Sequence, residues 1–90
     1  MDIHDLLWDE TVVEKIERKH HVSREEVEAV FFEERPHIRR FGSLYYAYGR
    51  TAEGRFLFIP FIPMGKGIVR PITARDMTDS ERRLFKSVKE

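Results

Sequence analysis

Apolar residues recur at helical spacing in two early segments, switch to a period of two after Pro36, and return to helical spacing near the end. Val12, Val13, Ile16 and His20 form the first stripe, with Glu10, Glu14, Glu17 and Arg18 off it. Asp9 stands at the N-cap and Glu10 in the first turn, where a carboxylate suits the positive end of the helix dipole. A helix is predicted over residues 10–19. The second starts at Ser23, which has capping-box spacing to Glu26, and Val22 and Val27 are placed for a hydrophobic staple. Val27, Val30 and Phe31 make its buried stripe, and Pro36 excludes the helical conformation at Arg35.

Residues 37–41, 44–51, 55–62 and 68–75 then read as strands, separated by Gly42-Ser43, Ala52-Glu53-Gly54 and the turn from Pro63 to Gly67. The run from Phe56 to Ile62 is apolar on both faces, as a central strand is. Pro60 interrupts it and calls for a bulge or a gap in pairing, because proline has no N–H for a ladder. Thr78 and Glu81 form a second capping box, opening a helix with Leu84, Phe85 and Val88 on one face and Arg82, Arg83 and Lys86 around it. The run 3–8 is expected to be extended at one edge. The predicted fold is α+β: two N-terminal helices, a four-stranded antiparallel sheet and a C-terminal helix, with the helices against one sheet face.

Ninety residues make a single domain, 1–90, with one core. There is no cysteine, so no disulfide framework and no thiolate chemistry. The four histidines have no metal-ligand spacing, and neither a metal nor another cofactor is expected. The start lacks a basic end and a long apolar run, so no signal peptide or membrane association is expected and the expected location is cytoplasmic. The net charge of zero conceals a division: residues 1–34 hold eleven acids and four bases, and residues 35–90 hold five acids and twelve bases. If this division persists in space, the basic part suits a polyphosphate and the acidic part a basic partner; if not, charges of both signs mix over the surface.

Three polar sets remain. Arg50, Arg55, Arg70 and Arg75 lie on or beside predicted strands, and guanidinium matches phosphate oxygens with a rigid fork. Arg70 and Arg75 are five apart and face opposite sides of an unbroken strand, so both serve one site only if Pro71 or the turn at Asp76 twists the chain. Each arginine can equally pair with Asp76, Glu81 or the helix acids. Lys19, His20 and His21 lie where the two helices join, and the first two are candidates for moving a proton; His20 also completes the helix stripe. Tyr45, Tyr46 and Tyr48 with Phe56 and Phe58 could stack bases or simply pack across strands.

Across nearly its whole length the chain resembles the BrnT family of bacterial toxins, the ribonuclease half of a two-gene toxin–antitoxin system with a RelE-like fold. The resemblance rests on Trp8-Asp9, Lys19-His20-His21-Val22-Ser23 with Glu25-Glu26, Val30-Phe31, Tyr48-Gly49-Arg50-Thr51, Gly54-Arg55, the segment from Arg70 to Arg75, and Glu81-Arg82. His21 stands where that family usually has Gly, Thr73 where it often has Ser, Phe85 where it often has Tyr, and Asp76-Met77-Thr78 replaces more basic residues. The resemblance implies metal-independent cleavage of RNA by 2′-hydroxyl attack. Arg50, Arg70 and Arg75 would clamp phosphate, Lys19 or His20 would move the proton, and Arg55, Tyr48 and Arg82 would bind RNA. It also implies a BrnA-like antitoxin partner that alone contacts DNA. The alternative is a non-catalytic module of the same fold that binds RNA or protein.

Overall fold

The computed structural model describes residues 1–89. Its elements are β1 (Asp5–Leu6), α1 (Glu10–His20), α2 (Arg24–Phe32), β2 (His37–Phe41), β3 (Leu44–Arg50), β4 (Phe56–Gly65), β5 (Ile68–Pro71), β6 (Arg75–Asp76) and α3 (Asp79–Lys89). Local chemistry sets the helix starts as the pattern predicts. Asp9 accepts from Thr11 N–H at 2.9 Å. Ser23 and Glu26 bond reciprocally at 3.1 and 2.9 Å, and Thr78 and Glu81 at 3.2 and 2.8 Å. The C-cap of α1 is His21, in the left-handed region at φ 54°.

The strands run in the order β1-β5-β4-β3-β2, with β6 pairing β4 beyond the end of β5. This corrects the four-stranded antiparallel expectation: the sheet is six-stranded and mixed, because β1 pairs parallel with β5. Short loops dictate antiparallel pairing only between consecutive strands, and β1 is separated from β5 by most of the chain. Gly67 makes that edge possible. Its carbonyl accepts from His4 N–H at 2.7 Å, its φ is 78°, and a Cβ there would collide with the His4 ring.

The helices also do not lie on one sheet face. Ile16, Val22, Val27, Val30 and Phe31 pack on Ala47, Leu57, Ile59, Phe61 and Val69. Phe85 and Leu84 of α3 pack on the opposite face, with Tyr48, Phe56, Phe58 and Met77. The two-sided apolar run in β4 is thus covered on both sides, α1 and α2 on one and α3 on the other, so α3 overhangs a face of its own.

Candidate functional site

The face beneath α3 gathers its residues through an irregularity. Ile62 pairs with Arg70 and Phe58 with Arg75. Those partners are four residues apart on β4 but five apart on the facing edge, so residues 72–74 hold one extra residue and the side-chain alternation reverses. Arg70 and Arg75, odd in separation, therefore project to the same face. Pro60 faces this break, with its carbonyl accepting from Ile72 N–H at 2.9 Å, so its missing donor leaves no ladder bond unmade. Pairing across β2, β3 and β4 adds His37, Arg39, Tyr46, Tyr48, Arg50, Phe56 and Phe58 to that face.

Two groups occupy it. In the first, Arg75 lies over the Phe58 ring, its guanidinium carbon 4.2 Å from the centroid. Its two terminal nitrogens donate to the two carboxylate oxygens of Glu81 at 2.8 and 3.0 Å. This bonding holds the Glu81 carboxyl below the usual range and raises Arg75 further. Tyr48 is buried beside them with the His37 ring centre 6.0 Å from its own. Burial pushes its phenol up, and the Glu81 charge adds to this against Arg39 and Arg75. The phenol is a hydrogen-bond donor at neutral pH.

The second group surrounds Phe56. Arg82, Lys86 and Arg50 place their charged centres 4.6, 5.5 and 5.8 Å from its ring centroid. Among the described residues none of the three forms an ion pair. Beside them opens a cleft of about 450 Å³ lined by Glu33, Glu34, Arg35, Arg50 and Phe85.

The remaining predicted residues lie elsewhere. Arg55 is a structural clasp: its guanidinium bonds Asp76 at 2.8 and 3.2 Å, the carbonyls of His21 and His20 at 2.6 and 2.9 Å, and Glu26 at 3.1 Å. Hydrogen bonding to Arg55 is the main reason the Asp76 carboxyl is held low, with His20 and His21 adding to it. Lys19 and His20 therefore sit at the Asp76 side of β6, whereas Arg75, the preceding residue, projects to the other side. The structure does not bring Lys19 or His20 into one hollow with Arg75. Arg70 is exposed and acts electrostatically on Asp9, which is held low chiefly by its bonds to Thr11. Of the eight residues singled out, the structure brings Tyr48, Arg50, Arg75 and Arg82 together under and beside α3.

Sequence reasoning missed His37, Arg39, Glu81 and Lys86 as members of this group. His37 was within reach. The two-residue turn Gly42-Ser43 sets Phe41 opposite Leu44, and counting back places His37 opposite Tyr48. Glu81 was read as a cap and as one of several acids open to any of the arginines; its grip on Arg75 in particular spans β6 and α3 and follows from no local pattern.

A family model described as the ribonuclease toxin BrnT of a type II toxin–antitoxin system matches residues 8–81. The 1.1 Å crystal structure of the Brucella abortus ribonuclease toxin BrnT superposes with a TM-score of 0.66 at 17% identity, covering 83% of this chain and 97% of that one. At that identity the likeness speaks for the fold. No curated protein sequence matches the chain.

Proposed function

The chain belongs to the BrnT family of ribonuclease toxins of type II toxin–antitoxin systems, and from that premise we propose that it cleaves RNA on the strand face carrying Tyr48, Arg50 and Arg75. The observation that carries the reading is the reversal of alternation between β5 and β6, which sets Arg75 beside Tyr48 and His37 rather than behind the sheet.

The chemistry is transesterification. A ribose 2′-oxygen forms a bond to the adjacent phosphorus, the bond from phosphorus to the 5′-oxygen breaks, and a 2′,3′-cyclic phosphate and a free 5′-hydroxyl result. A proton leaves the 2′-hydroxyl and another reaches the departing 5′-oxygen. Charge gathers on the phosphoryl oxygens, so fixed cations are the main requirement. Arg75 is held ready by Glu81 and Phe58, and Arg50 supplies a second cation from the next row of the sheet. His37 brings an imidazole, the side-chain type suited to proton exchange at neutral pH, to the same row as Tyr48 and Arg75. That position favours it over Lys19 and His20 as the proton carrier. Tyr48 keeps its proton and serves as a donor. Guanidinium groups supply the positive charge, so the reaction needs no metal.

Family membership brings with it an antitoxin partner and an RNA target. That the antitoxin is BrnA-like, neutralises the toxin by covering this face and alone touches DNA is part of the proposal. A second reading, a module that binds RNA or protein and cuts nothing, is favoured by one observation: two of the Arg75 nitrogens are already committed to Glu81. Incubating the purified protein with RNA in EDTA separates the two. Products ending in 2′,3′-cyclic phosphate support cleavage; intact RNA with a folded protein removes it.

A further inference from the structure

We propose that Arg82 and Lys86 of α3, with Arg50 at their edge, form a separate docking subsite for the backbone phosphates of single-stranded RNA flanking the cleaved bond. The inference rests on the ribonuclease reading for its substrate class, but Arg82 and Lys86 lie outside the cleavage centre and share only Arg50 with it. Three permanent or near-permanent cations converge on one ring, 4.6, 5.5 and 5.8 Å from the Phe56 centroid. The ring quadrupole attracts each of them, yet their mutual repulsion is opposed by no ion pair among the described residues. Elsewhere, Arg75 on this face is neutralised by Glu81 and Arg55 behind it by Asp76 and Glu26, while Arg39 and Arg70 form no ion pair among the described residues but stand singly, away from the Phe56 ring. A concentrated charge with no carboxylate paired to it is where a polyanion gains most by binding.

The placement also gives a direction. Arg82 and Lys86 are four apart on one face of α3, and Glu81, next to Arg82, anchors Arg75. A strand whose scissile phosphate lies at Arg75 and Tyr48 can thus continue along the flank of α3 to the Phe56 cluster. Glu33 and Glu34 across the cleft repel phosphate and keep the backbone on the α3 side. The subsite recognises repeated phosphates and not a base, so it calls for a substrate that extends beyond a dinucleotide.

The test is the salt dependence of binding. A fluorescently labelled single-stranded RNA of about ten nucleotides is titrated with the wild-type protein and with the Arg82→Gln/Lys86→Gln variant at several salt concentrations, with thermal melting of the variant to establish that it folds. Each lost phosphate contact reduces the slope of log K against log salt by about 0.7 on a single strand, so the double variant is expected to lose about 1.4 from the slope. A folded variant that binds with the wild-type slope overturns the subsite and leaves the patch for another anion, such as an acidic protein segment. A wild-type protein that binds with the expected slope but releases no cyclic-phosphate product sinks the cleavage reading and leaves the subsite standing.

Discussion

Arg75 holds both carboxylate oxygens of Glu81, at 2.8 and 3.0 Å, while Glu81 closes the capping box of α3 through Thr78. One carboxylate therefore fixes a strand cation and a helix start together. Arg75→Ala leaves the Thr78 cap in place, so the fold is expected to survive while cleavage slows by ~10²–10³-fold. Glu81→Gln keeps an acceptor for the Thr78 N–H, so its expected cost of about 1 kcal/mol comes from the lost charge-assisted bonding to Arg75. Denaturant melts of the two single variants and the double variant give the coupling, expected at about 0.5 kcal/mol or more because the geometry is bidentate. Coupling of zero would mean that the pair does not form in solution.

The acid limb of the stability profile should follow from Glu81 and Asp76. Both carboxyls are held below their ordinary values of 4.5 and 3.8, Glu81 by hydrogen bonding to Arg75 and Asp76 by hydrogen bonding to Arg55. A depressed folded pKa contributes stability that is fully present above the unfolded value and is lost as pH falls through the folded one. These two groups should leave stability unchanged down to about pH 5 and reduce it below about pH 4. Thermal melts across pH test this. The Glu81→Gln/Asp76→Asn variant should start less stable and fall less steeply; an acid limb as steep as that of wild type would assign the effect to other groups.

Arg55→Lys should destabilise the fold by about 2 kcal/mol, because one ammonium cannot replace a fork that reaches Asp76, Glu26 and two helix carbonyls. The side chain is 25% exposed, so water replaces part of what is lost. Urea unfolding measures the loss, and RNA affinity in the folded variant should be unchanged, since its guanidinium is occupied by the protein itself. A stable variant with weakened RNA binding would return Arg55 to the binding set.

Local signals were legible in the chain and long-range ones less so. The Ser23 and Thr78 boxes, the Gly42-Ser43 turn and the gap at Pro60 all follow from residues a few positions apart, and all are present. The parallel edge at β1 was not readable, because two residues carry no period and their partner lies over sixty positions away. The extra residue in 72–74 was half visible: an odd Arg70–Arg75 spacing demands a reversal if both are to share a face, and the structure supplies that reversal while leaving Arg70 apart, near Asp9. Which acid each arginine would choose was open, since Asp76, Glu81 and Glu26 were all eligible; Arg55 took two of them and Arg75 the third.

Gly49 should tolerate no side chain. Its backbone is not in the left-handed region, so the constraint is space: a Cβ would run into Cγ1 of Val30 on α2. Gly49→Ala is expected to cost about 1–3 kcal/mol through overpacking, read as a lowered urea midpoint with an unchanged slope. A neutral result would mean that α2 can move outward freely.

His21 offers the opposite case, a position where glycine should help. It sits at φ 54° as the C-cap of α1, its N–H donating to the Glu17 carbonyl at 3.2 Å and its own carbonyl accepting from Arg55. A side chain in the left-handed region costs roughly 1–2 kcal/mol, less for histidine than for β-branched residues. Glycine removes that cost but adds freedom to the unfolded chain worth about 0.4–1 kcal/mol. The balance predicts a gain of about 0.5 kcal/mol for His21→Gly, because both hydrogen bonds involve backbone atoms that glycine retains. His21→Val, which keeps a side chain but branches at Cβ, should lose more than about 1 kcal/mol. Thermal melts of the two variants give the answer through their difference. If valine is tolerated as well as glycine, the left-handed cap is not what joins α1 to α2.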